Sequence, residues 1–100
     1  MSSVEEEFWD RGVLRGACMM FRPIDAIALV RRCRERNVEV LGVDAFHLTD
    51  TTTQPDMGES INLSDLEHLG REPRSWDRAE EFLMQRIGSD LFFEVNVDEG

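Results

Sequence analysis

Val38-Glu39-Val40-Leu41-Gly42-Val43-Asp44-Ala45-Phe46-His47-Leu48 is apolar at nearly every position and β-branched at its start. Such a run reads as a strand at the centre of a sheet, buried on both faces over its first half. Gly42 stands where the apolar alternation changes face, which predicts a bulge or the close approach of another backbone.

On its N-terminal side, Pro23 suits the first turn of a helix and Asp25 the positive end of its dipole, so a helix is expected from Pro23 to Arg36. Ala26, Leu29, Val30 and Cys33 follow the spacing of one buried stripe, with Ile27 beside it. Arg31, Arg32, Arg34 and Arg36 crowd the end where cations are favoured and read as a solvated helix end, and Asn37 can take the left-handed cap. Further upstream, Ser3 and Glu6 have capping-box spacing ahead of a short helix from Val4 to Arg11. Gly12 to Phe21 fits either a helical continuation or an extended segment.

On the other side, Thr49-Asp50-Thr51-Thr52-Thr53 reads as a turn into a second, shorter strand near Thr53 to Met57, giving a hairpin. Residues 58 to 74 read as a loop with one turn of helix after Ser64. Ser75 is a candidate N-cap for a helix whose stripe is Trp76, Ala79, Leu83 and Ile87 and whose end is Gly88. Leu91, Phe93, Val95 and Val97 then alternate with Phe92, Glu94 and Asn96, the period of a half-buried strand. If the strands 38–48 and 91–97 are neighbours joined through that last helix, the crossover rule makes them parallel. The expected fold is therefore α+β, a small mixed sheet of two to three strands with helices packed on one face. A chain of 100 residues suits one such domain over 1–100.

The net charge of −10 argues against nucleic acid, whose phosphates need clustered cations, and favours a basic protein partner. Residues 1–36 carry seven Arg against six acids, whereas residues 37–70 carry seven acids and no Arg. No stretch approaches the ~20 apolar residues of a membrane span, and the start of the chain has three consecutive Glu in place of a signal-like apolar run, so a cytoplasmic protein is expected. Oligomeric state is not encoded in any of these patterns.

Chemistry-bearing residues are few. Cys18 and Cys33 lie on segments that read as core and make no four-ligand zinc set. Asp44 and His47 are three residues apart and point to opposite faces of a strand. Asp65, Glu67 and His68 lack metal-site spacing, and no glycine-rich phosphate loop follows a strand. No catalytic set, metal site or cofactor is implied, and an enzyme is not expected. What remains is the acidic block Glu39, Asp44, Asp50, Asp56, Glu59, Asp65 and Glu67 on the hairpin and its following loop. A solvated loop that confers solubility explains it blandly. As a recognition surface, it would steer a cationic partner through Asp44, Asp50, Asp56, Glu59, Asp65 and Glu67, with Met57 among the apolar contacts at its centre.

The helix Asp25-Ala26-Ile27-Ala28-Leu29, the strand Val40-Leu41-Gly42-Val43-Asp44, the polar hairpin return, Ser75-Trp76 with its helix and the closing Leu91-Phe92-Phe93-Glu94-Val95 resemble a family of small immunity proteins from bacterial polymorphic toxin systems. The resemblance covers roughly residues 20–97. It departs from the family pattern at Gln54-Pro55-Asp56-Met57-Gly58, which replaces an aromatic-rich segment. It implies a protein that binds and neutralises a cognate toxin domain, with Gly42 and Asp44 on the characteristic strand and Trp76 on the helix after the hairpin. The alternative is a cytoplasmic secretion chaperone or adaptor without catalytic activity, which would use an exposed apolar groove and usually a dimer.

Overall fold

The computed structural model describes residues 4–15, 18–63 and 74–98. A 3₁₀-helix, Glu5–Arg11, leads into a short antiparallel hairpin of β1 (Val13–Arg15) and β2 (Cys18–Met20). Then come α1 (Pro23–Arg36), β3 (Glu39–Leu48), β4 (Thr53–Asn62), α2 (Arg74–Met84) and β5 (Phe92–Asp98). Of the undecided stretch after Gly12, Val13–Arg15 and Cys18–Met20 are thus extended. The capping box proposed at Ser3 and the helical turn after Ser64 lie outside the described residues.

Helix α1 has the expected bounds, with Pro23 in its first turn and Asn37 left-handed at φ 57°. The stripe Ala26, Leu29, Val30 and Cys33 is buried, as is Ile27. Its arginines are more than a solvated end. Arg31 and Arg34, one turn apart, reach Glu80 and Asp77 of α2, while Arg32 and Arg36 converge on Glu7 of the 3₁₀-helix at 3.0 and 2.8 Å. Glu35 and Glu7 together hold the Arg32 guanidinium above its ordinary pKa through their hydrogen bonds. Helical periodicity sends the two pairs to opposite flanks, so one helix clasps two neighbours. Exposed pairs of this kind contribute little to stability, because water and salt screen them.

The main sheet has strand order β4-β3-β5, and both pairings are antiparallel. The sheet is therefore not mixed, and the expected parallel pairing of the 38–48 and 91–97 strands is wrong. The crossover rule governs parallel strands joined through a helix. Here those are β4 and β5, which run parallel with β3 between them, because the hairpin reverses the chain before α2. Phe21 adds one further rung beside β5 through two backbone hydrogen bonds with Phe93, 2.8 and 2.7 Å.

Both helices contact β3 and each other, so they cover one face of the sheet. Val40, Val43 and Ala45 point into that core opposite Val97, Val95 and Phe93. Phe93 meets Phe82 of α2 edge-on at 6.0 Å, and the Trp76 indole donates to the Val38 carbonyl at 2.8 Å. Burial on both faces of β3 was expected and is not found: Leu41, Asp44 and Phe46 remain partly exposed because no element covers their side of the strand among the described residues. Helix α2 starts at Arg74 rather than after a Ser75 cap and ends at Met84, so Ile87 falls outside its stripe and is exposed.

Gly42 carries both features expected of it. The β3–β5 register shifts between Val40 and Gly42, and a Cβ built at Gly42 would lie 3.0 Å from the Ile61 carbonyl oxygen. A larger residue must push β4 away from β3. Gly42→Val is expected to cost about 1–3 kcal/mol, measured as a lower urea midpoint at unchanged slope; an undiminished midpoint would mean that this approach does not set the strand spacing.

Candidate functional site

The hairpin of β3 and β4 starts from a turn built by its own hydroxyls. Thr49 Oγ1 accepts the Thr52 and Thr51 backbone amides at 2.9 and 3.3 Å, and Arg15 from the β1–β2 hairpin donates to the Thr49 carbonyl at 2.6 Å. Asp50 is exposed in this turn.

Farther along, β4 is longer than expected and is interrupted by a wide bulge. Between paired rungs β3 advances two residues, Val43 to Ala45, while β4 advances five, Asp56 to Ile61. The Ser60 hydroxyl bridges the break: it accepts the Ala45 amide at 3.1 Å and donates to the Asp56 carbonyl at 3.0 Å. Mixed Gly, Ser and isolated apolar residues read locally as a loop, and only pairing with β3 extends the strand to Asn62.

The bulge decides the fate of two of the expected binding carboxylates. Asp56 pairs with His47 Nε2 at 2.9 Å, and its second oxygen accepts the Gly58 amide at 3.1 Å. Glu59 meets Arg86 at 2.6 Å; Arg86 in turn donates to the Phe82 carbonyl and lies 3.8 Å from the centroid of the Phe82 ring. Glu59 is therefore matched by the protein's own guanidinium, and its charge is not free to steer a partner. Asp44 stands elsewhere, on the uncovered face of the sheet, where it accepts Asn96 Nδ2 at 2.8 Å. The Met57 side chain, Asp65 and Glu67 lie outside the described residues. The four of these seven residues that the structure describes lie apart: Asp50 sits at the turn, Asp56 and Glu59 in the bulge, Asp44 on the open face.

That open face is ordered by strand parity. Gly42, Asp44 and Phe46 of β3 stand directly opposite Asn96, Glu94 and Phe92 of β5, three successive rungs on the side away from the helices. Among the described residues neither Asp44 nor Glu94 has a cationic partner. Like charges directly opposite are unfavourable for the sheet itself. Beside Asp44 lies a depression of about 540 Å³ lined by Leu41, Gly42, Asp44, Ser60, Ile61, Asn62 and Asn96. Sequence reasoning passed over Glu94, Phe46, Phe92 and Asn96. The period-two pattern already set Phe92, Glu94 and Asn96 on one outer face; the missing step was the register that lays them against Asp44.

Among the described residues no three His, Cys, Asp or Glu side chains converge as metal ligands, and no helix is long and apolar enough to cross a membrane. Cys33 is fully buried. No family model and no curated protein matches the chain.

Ser60→Ala leaves the buried Ala45 amide without its acceptor, a loss of about 1–3 kcal/mol. The expected signature is faster hydrogen exchange at Ala45 with unchanged protection at Val95; equal acceleration at both would show that the hydroxyl does not act locally.

Proposed function

We propose that this is a non-catalytic, immunity-type protein that binds and neutralises a cognate, basic toxin domain through an anionic surface, acting in the cytoplasm. The observation that carries the reading is the division of charge. Arg31, Arg32, Arg34 and Arg36 face acids of the helical side and Arg86 holds Glu59. Asp44, Asp50 and Glu94, by contrast, are left without a cation among the described residues. With a net charge of −10 carboxylates are in excess, and the register sets two of them, Asp44 and Glu94, side by side on the open sheet face. Complementary fields of this kind raise association rates and exclude partners of the wrong sign.

The resemblance to immunity proteins of polymorphic toxin systems supports the same reading, since Gly42 and Asp44 occupy adjacent outward rungs on β3. The chaperone or adaptor alternative asks for an exposed apolar groove, and no observation favours it over the charged face.

The test is co-expression with the product of the adjacent reading frame. The protein is expected to rescue growth and to co-purify with that product, with an association rate that falls steeply as salt rises through the range where the screening length shrinks from ~30 Å to ~10 Å. Reversing Asp44 and Asp50 to Lys together is expected to weaken the complex by about tenfold or more, while stability moves within about 0.5 kcal/mol, as for surface changes in general. A complex insensitive to both salt and charge reversal would remove the anionic surface from the explanation.

A further inference from the structure

Resting on the proposed recognition of a basic partner, we infer that the docking face is the uncovered side of the three-stranded sheet, and that its occupant is an arginine-bearing segment of the partner protein. Three features on successive rungs argue for this. At the centre, Asp44 and Glu94 oppose each other across β3 and β5 with no cation from the described residues between them. A sheet keeps such a pair at a cost unless a positive group lies over it.

On the next rung Phe46 opposes Phe92, both half-buried. The protein's own Arg22 already lies over the Phe92 ring at 4.8 Å, and it forms an ion pair with neither carboxylate. This contact demonstrates the geometry in which a guanidinium packs on the rung. No cation packs on the Phe46 ring among the described residues. A guanidinium placed there lies one same-face step along the strand from Asp44, roughly 6.5 Å, within reach of a carboxylate while stacked on the ring. On the opposite side of Asp44 the missing side chain of Gly42 floors the 540 Å³ depression, whose wall includes Asn96, the residue that donates to Asp44.

An aromatic rung, a carboxylate rung and a polar depression in line select arginine over lysine. A guanidinium stacks on a ring and forks onto carboxylate oxygens, whereas an ammonium is a compact, strongly hydrated point charge. The strength of each contact is modest, and their alignment along one strand direction suits an extended segment carrying several arginines. The hairpin turn at Asp50 offers no ring, and the bulge carboxylate Glu59 is already held by Arg86.

The experiment is a low-salt titration of isotope-labelled protein with hexa-arginine and, separately, hexa-lysine, read residue by residue from amide shifts. Saturable shifts are expected at Gly42, Asp44, Phe46, Phe92, Glu94 and Asn96, with hexa-lysine binding about fivefold more weakly. The double variant Asp44→Asn, Glu94→Gln is expected to lose about tenfold in hexa-arginine affinity, with the core amides Leu29 and Val30 of α1 unmoved and thermal stability equal to or above the parent's. Phe46→Leu is expected to abolish the preference for arginine while retaining the fold. Saturable shifts centred instead on Asp50 or on the exposed acids of α2 would overturn the assignment of the face while leaving recognition of a basic partner standing. No saturable binding, or affinity unchanged in the double variant, would overturn the assignment as well. Failure of this protein to rescue growth from the neighbouring gene product, by contrast, bears on the toxin reading and not on this face.

Discussion

Two helices lie on one side of three strands, and that asymmetry sets the role of every residue on β3 and β5. Once α1 and α2 cover one face, parity sends Val43, Ala45, Phe93 and Val95 into the core, and the register shift beside Gly42 brings Val40 in with them. The residues between them must face the other way. Asp44, Glu94, Phe46 and Phe92 are brought together by the same backbone constraint that buries their neighbours. The core and the proposed recognition face are two sides of one register.

The close approach of β4 at Gly42 and the bulge bridged by Ser60 work within that constraint. A side chain at Gly42 would meet the Ile61 carbonyl, so the glycine permits β4 to pair closely and opens the depression beside Asp44. The bulge then turns Asp56 and Glu59 toward partners inside the molecule, His47 and Arg86. Charge is divided as a result. Ion pairs tie α1 to its two helical neighbours, and on the open sheet face Asp44 and Glu94 stand opposite each other without a cation among the described residues.

The arginines illustrate how an accurate local description differs from a role. Their position near the end of α1 agrees with a dipole argument, and the same positions also suit clasps. What separates the two is whether acids stand opposite. Glu7, Asp77 and Glu80 do, because the 3₁₀-helix and α2 pack on either flank of α1. Each contact is weak in water, but together they engage four arginines of α1 with acids of its helical neighbours.

The chain's own pattern was sufficient for α1, with Pro23 at its start and Asn37 at its end, and for the alternation of β5, because caps and periodicity are local properties of neighbouring residues. It also located Gly42 as a point of close backbone approach. Strand direction, the extent of β4 and the pairing of Phe21 with Phe93 were decided only in three dimensions, since a hairpin placed before a helix reverses the sense of the next strand. The fate of the carboxylates was decided there too. Glu59 finds Arg86 across 27 residues of chain, and Asp44 meets Asn96 across 52. A carboxylate's usefulness depends on whether a cation stands opposite it, and contacts between distant segments are set by topology rather than by composition.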